Sequence, residues 1–335
     1  MISKKILTWN AQKNFRTLPW KNEIDPYKIW ISEIILQQTR AQQAEKYYKN
    51  ILEKYPTIIH LANASQNELY SAWQGLGYYS RCRNMHHTAQ IIAQLYDGKF
   101  PSEYQKIRDL KGIGNYTAAA IASFAFGLPY AVVDGNVVRI LSRYFGISTS
   151  FHTSKGKKEF EELAQSLLPK KKNASYNQAM MDIGATICKP QMPLCQNCPL
   201  QSNCFAFKHT MQKDFPTKKI KKELKERYFQ FMVFQFKNNV YIRKRTEKDI
   251  WQNMYCFHTI ELKDKNEFIK LDEDNFQYFT QQLTHQKIFA HFTIIDIENE
   301  FHIKNLALEK VAIKNLKNFA FPKIIISFFE KNNYL

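Results

Sequence analysis

Four cysteines, Cys188, Cys195, Cys198 and Cys204, fall within seventeen residues in the spacing C-x6-C-x2-C-x5-C. Thiolates this close in sequence can enclose one tetrahedral metal ion or one cubane cluster. Zinc sites usually pair their cysteines as two C-x2-4-C knuckles, and only Cys195/Cys198 has that form. The spacing therefore points first to an iron–sulfur cluster, with zinc as the alternative. Cys82 and Cys256 have no such company and read as core residues. Two carboxylates could also do chemistry. Glu33 has Ile29, Trp30, Leu36 and Gln37 as its neighbours at helical spacing, with no lysine or arginine on its own face. A carboxyl group in apolar surroundings has its pKa raised, as a general acid requires. Asp134 precedes a helical stretch over 137–143 and can cap it while staying ionised near a developing cation. A raised acid and an ionised carboxylate could share general acid–base work; equally, Glu33 could be a helix glutamate bonded to a distant partner and Asp134 an ordinary N-cap.

The elements that must position these groups are mostly helical up to about residue 208. Breaks fall at Pro56, Gly75-Leu76-Gly77, 98–101, 112–114 and 127–129. Asp25 before Pro26 is a helix start, an N-cap followed by proline at the first helical position. Gly112 and Gly114 bracket a tight turn before a helix over 116–126, where backbone N–H groups can face a phosphate. A lysine-rich stretch at 216–227 without apolar periodicity reads as linker. Beyond it the pattern becomes aromatic and β-branched at 228–236, 240–242 and 288–297, closing with helical segments near 309–318 and 322–331. The 335 residues suggest about two domains, and 44% hydrophobic content supplies apolar material for cores and does not read as disordered. The uncharged run at 115–133 contains Gly127 and Pro129, so it reads as a buried helix plus a turn rather than a membrane span. With no secretory pattern after Met1, the expectation is a cytoplasmic protein with no membrane partner. The net charge is +18, and residues 1–208 carry 26 basic against 14 acidic side chains, so that region is the expected polyanion surface.

The cysteine spacing, together with Leu110-Lys111-Gly112-Ile113-Gly114-Asn115-Tyr116-Thr117-Ala118 and Val133-Asp134-Gly135-Asn136-Val137, resembles the endonuclease III/MutY superfamily of helix-hairpin-helix DNA glycosylases. Lys111 stands where that hairpin usually has proline. Leu18-Pro19-Trp20, the Ser32-Glu33 helix with Gln37-Gln38-Thr39, and Gly75-Leu76-Gly77-Tyr78-Tyr79-Ser80-Arg81 resemble the MutY-type adenine branch. Residues 251–257 are similar to a segment of that branch's Nudix-like domain, without a pyrophosphatase box.

The resemblance implies a mainly α, two-lobed helix-hairpin-helix glycosylase with a [4Fe-4S] loop, plus a C-terminal α+β Nudix-like domain. Its expected parts are a glycosylase region 1–208, a basic linker 209–227 and a lesion-recognition domain 228–335. Within the first, a six-helix lobe spans about 25–134, while the N-terminal segment and 135–208 form the iron–sulfur lobe. The implied catalytic residues are Glu33, which would protonate adenine N7, and Asp134, which would stabilise the sugar cation, with Asn136 nearby. Tyr116 occupies the place where the lyase branch has its Schiff-base lysine, so a monofunctional enzyme is expected. Gly112 and Gly114 would hold the DNA backbone. Gln38 and Tyr78 would enter the base stack, and Arg16, Trp20, Leu36 and Asp182 would surround the flipped adenine, although Asp182 could equally be a cap. Leu283-Thr284-His285 takes the place of a Phe-Ser-His loop that reads the oxidised base, giving lesion roles to Thr284 and His285. The cysteines would hold a [4Fe-4S] cluster. The expected function is removal of adenine mispaired with 8-oxoguanine or guanine from duplex DNA, by a monomer acting at the bacterial nucleoid. The alternatives are an endonuclease III-like lyase for oxidised pyrimidines and a non-catalytic iron–sulfur DNA-binding regulator.

Overall fold

The computed structural model describes residues 2–218, 223–269 and 276–334. The chain forms two compact units, Met1–Asn63 with Arg83–Ile220, and Ala64–Cys82 with Lys221–Leu335. Among the described residues no helix is long and apolar enough to cross a membrane.

The first unit is helical. Helix Pro26–Leu36 starts where Asp25 accepts the Tyr27 amide at 2.9 Å. It buries Ile29, Trp30, Ile31, Ile34 and Ile35, so its surroundings are apolar on nearly every side. It packs against helix Asn115–Phe126, whose run Ala118, Ala119, Ala120, Ile121 and Ala122 presents small buried side chains and allows close approach. Gly127 ends that helix in the left-handed conformation. A second core joins helices Ile2–Lys13, Gly135–Phe145, Ser154–Leu167 and Asn173–Thr186 through Trp9, Leu141, Phe160, Tyr176 and Ile183. Pro56, Gly98 and Gly112 lie in this unit's connections, as Gly75 and Gly77 do in the Ala64–Cys82 part of the second unit.

Among its described residues the second unit has seven strands: β1 Lys225–Phe236, β2 Asn239–Lys244, β3 Tyr255–Cys256, β4 His258–Leu262, β5 Phe276–Gln282, β6 Gln286–Asp296 and β7 Glu309–Ala312. The path β3-β2-β1-β6-β5 is mixed: β1 pairs parallel to β6 and antiparallel to β2, while β4 and β7 pair with β1 and β2. Alternation along β1 sends Phe229, Phe231 and Val233 to one core, and Tyr228 and Phe234 to smaller clusters. The first core is closed by helix Lys323–Lys331, with Phe292 stacked 4.6 Å from both Phe231 and Phe328.

Two expectations change here. Residues 225–227 belong to β1 rather than to a linker, because Lys225, Glu226 and Arg227 pair with Gln286, Lys287 and Ile288 of β6. Linker residues 219–222 lie outside the described residues. The segment expected to be helical at 309–318 begins as strand β7, since Val311 opposes Val240 across an antiparallel ladder, and continues as the 3-10 turn Ile313–Asn318.

Candidate active site

Glu33 lies in the last turns of helix Pro26–Leu36 and is 6% exposed. Burial raises its pKa to about 7; the Tyr116 hydroxyl bonded to it opposes the rise, and the Asp134 charge adds to it. Its Oε2 is buried and has no hydrogen-bond partner among the described residues. Tyr116, at the start of helix Asn115–Phe126, also directs its hydroxyl to Met181 Sδ at 3.8 Å. Burial and the two carboxyl groups hold this phenol neutral.

Asp134 is the N-cap of helix Gly135–Phe145. It accepts the Val137 amide at 2.8 Å and Asn136 Nδ2 at 2.6 Å. Burial pushes this carboxyl upward as well, but the Val137 and Asn136 hydrogen bonds and the Arg139 guanidinium pull it back. Glu33 has only Tyr116 on that side of the balance. Both carboxyls are raised by burial, but Asp134 has more groups favouring its charged form than Glu33 has, which is the direction of difference an acid–carboxylate pair needs.

Asn136 is itself held. Its Oδ1 accepts Arg139 Nη2 at 2.8 Å, and the same guanidinium donates to the carbonyls of Gly184 and Cys188 at 2.7 Å each. A Cβ on Gly184 would fall 2.4 Å from Asn136 Cβ, so glycine there lets the helix backbone pass the site. Arg143, one turn further along, is 3% exposed. It donates to the carbonyls of Lys189 and Pro190 at 2.8 Å each, to Phe215 at 3.1 Å and to Cys188 Sγ at 3.4 Å. Cys204 Sγ in turn donates to the Arg143 carbonyl at 3.4 Å. The four cysteines of this loop are free thiols, half-buried. They influence one another electrostatically, and burial pushes the Cys198 thiol up to about 11. Among the described residues no three metal-ligating side chains converge tightly enough to hold a single ion. The donor set is all thiol, the ligand type that iron–sulfur clusters and structural zinc both use.

The residues expected around the base are distributed as follows. Leu36 is three positions beyond Glu33 on the same helix. Trp20 packs edge-on against Tyr48 with ring centres 5.5 Å apart. Arg16 Nη1 binds Asp182 at 2.8 Å. Asp182 is neither a cap nor open to a ligand: it lies within helix Asn173–Thr186 at 0% exposure, accepting Asn14, Arg16 and Gln178, with Lys21 Nζ at 3.1 Å. It anchors the 14–21 segment rather than presenting its own oxygens. Gln38 is exposed at positive φ, 59°. Gly112 turns the hairpin at φ 82°, where a Cβ would meet Asn84 at 2.8 Å, and Thr88 Oγ1 binds the Lys111 carbonyl at 2.7 Å. Gly114 caps the following helix with open space where its Cβ would be.

In the second unit, Thr284 and His285 are exposed in the turn between the antiparallel strands β5 and β6. The Thr284 hydroxyl is hydrogen-bonded to the hydroxyl of Tyr78, which belongs to the same unit. Sequence reasoning did not single out Arg139, Arg143, Gln178 or Gly184 as parts of the site. A faint signal existed for two of them: Arg139 and Arg143 follow Gly135 at successive i+4 spacing, one cationic row on a helix that otherwise buries its face.

Residues 31–170 match the HhH-GPD superfamily base excision DNA repair protein model, and residues 230–331 match the NUDIX domain. An adenine DNA glycosylase of Buchnera aphidicola subsp. Schizaphis graminum is 36% identical over 95% of this chain and 90% of its own length. The protein of that name from Buchnera aphidicola subsp. Acyrthosiphon pisum is 34% identical over 99% of this chain and 98% of its own. A solved thermostable thymine-DNA glycosylase superposes with TM-score 0.58 at 32% identity, covering 62% of this chain and 95% of that one. The helical fold around a buried acid–carboxylate pair and the extent of these matches lead to one assignment: the chain belongs to the adenine DNA glycosylase family.

Proposed function

We propose that the chain hydrolyses the N-glycosidic bond of adenine mispaired with 8-oxoguanine or guanine in duplex DNA. What carries this reading is Glu33, a buried acid shifted to about 7 in electrostatic reach of a helix-capping Asp134. The adenine leaves the stack to reach this pair. The Glu33 carboxyl donates its proton to N7, and the bond between N9 and C1′ breaks with its electrons passing to the base. The positive charge left on the sugar faces the Asp134 carboxylate, kept in place by the Val137 amide and Asn136. Glu33, now a carboxylate, takes a proton from the water that adds to C1′, which restores the acid. With the neutral phenol of Tyr116 in place of an amine, no Schiff base forms and the abasic strand stays intact.

Gly112 and Gly114 would approach the phosphates, and Arg16, Trp20 and Leu36 would border the base, with Asp182 as the anchor behind Arg16; Gln38, and Tyr78 of the second unit, would each enter the base stack. Thr284 and His285 would read the oxidised base. Cys188, Cys195, Cys198 and Cys204 would hold a [4Fe-4S] cluster whose contribution would be structural, ordering the loop that Arg139 and Arg143 bind through its carbonyls. The enzyme would act as a cytoplasmic monomer on nucleoid DNA, with residues 228–335 as the recognition domain.

Single-turnover base release from duplexes carrying A:8-oxoguanine, A:G or thymine glycol tests the reading at one fixed salt concentration. Adenine release from the first two, with Thr284→Ala/His285→Ala narrowing the preference for the first by roughly tenfold, is the expected result. Release of thymine glycol with strand breakage would assign the chain to the lyase chemistry instead.

A further inference from the structure

Tyr78 stands on unusual backbone. Gly75, Gly77 and Tyr78 have φ of 94°, 71° and 49°. An aromatic residue persists in the left-handed region only where its surroundings over-determine it. Yet Tyr78 is 43% exposed, so packing alone does not hold it. Arg81 supplies what packing does not. Its guanidinium carbon lies 5.4 Å from the centre of the Tyr78 ring and 5.3 Å from that of Trp73. Its Nη2 reaches the carbonyls of Leu76 and Gly77 at 3.4 Å each, while Trp73 Nε1 donates to the Gly77 carbonyl at 3.0 Å. Arg81 is 8% exposed and Trp73 0%, so these contacts are made largely out of water, where a cation above a ring is attracted most strongly.

We propose that Arg81 is the positioning residue of Tyr78: by lying over both rings and clasping the two preceding carbonyls, it holds Tyr78 where its hydroxyl meets Thr284, and so sets opposite-base preference without touching DNA. This rests on the roles given above, Tyr78 in the base stack and Thr284 as reader of the oxidised base. Arg81→Lys keeps the charge but loses the planar face that lies over the rings and the Nη2 group that reaches the two carbonyls.

The test is single-turnover adenine release by the full-length protein on A:8-oxoguanine and A:G duplexes, for wild type, Arg81→Lys, Tyr78→Ala and the double variant. Arg81→Lys is expected to lower the ratio of the two rates by roughly tenfold, the scale of one desolvated cation–π contact. In the Tyr78→Ala background it should have no further effect on the ratio, since the group it positions is gone. General destabilisation would instead slow both duplexes alike in either background. Trp73→Phe, which shrinks the second ring under the guanidinium, should move the ratio in the same direction and decides the matter if Arg81→Lys does not fold. A ratio unchanged by the folded variants, or an Arg81→Lys effect undiminished in the Tyr78→Ala background, overturns the proposal. Failure of the underlying reading looks different: the wild type itself would not distinguish the two duplexes, and the proposal would fall with it.

Discussion

Replacing Glu33 by glutamine separates the chemistry of this residue from the energy of burying it. In the folded chain its pKa is raised from 4.5 to about 7. A carboxyl raised on folding contributes its full stability below the unfolded value, and that contribution is lost as pH rises through the folded value. A shift of this size corresponds to ~3 kcal/mol between the low-pH and high-pH limits. Glutamine does not titrate, and any cost of its unpartnered amide is the same at every pH. The stability difference between Glu33→Gln and wild type should therefore swing by roughly 2 to 3 kcal/mol in favour of the variant between about pH 5 and about pH 8.5. Urea unfolding of both proteins at the two pH values measures it. A difference that does not change with pH would show that Glu33 ionises in its ordinary range and would remove the basis for its role as acid. The same variant should lose roughly 10²- to 10⁴-fold in excision rate while still binding mispaired DNA, and wild-type excision should decline as pH rises through about 7. Near-normal excision by Glu33→Gln would refute the assignment directly.

Gly184→Ala should place a methyl group 2.4 Å from Asn136 Cβ, costing about 1–3 kcal/mol and slowing excision more than it weakens DNA binding; unaltered thermal melting and rate would mean that the two helices separate freely. Wild-type enzyme should leave abasic DNA unbroken and give little borohydride-trapped adduct, whereas Tyr116→Lys should gain weak nicking; efficient trapping by the wild type would reverse that reading. Purified protein should be brown with about four irons and four sulfides per chain, and stoichiometric zinc without colour, in protein prepared anaerobically, would replace the cluster.

What the sequence determined by itself lies within a few turns of chain. The cysteine spacing is visible because all four thiols share one loop. The Asp25 and Asp134 caps are visible because a capping side chain reaches amides only two or three residues on. The apolar run around Glu33 announced a carboxyl without a charged neighbour on its own helix. Tertiary structure decided everything that depends on residues distant in the chain. Asp182 looked like a ligand or a cap until Asn14, Arg16 and Lys21, more than 160 positions earlier, were seen to converge on it. Arg139 became part of the site only when its helix crossed the one carrying Gly184. The strand at 309–312 was hidden because its pairing partner, β2, lies some 70 residues upstream, and β1 extended into the lysine-rich stretch for the same kind of reason. The value of about 7 at Glu33 was likewise beyond local reading, because it measures how completely other helices exclude water from one carboxyl group. Patterns of spacing record the forces a residue feels from its own turn; burial and convergence record those it feels from the rest of the fold.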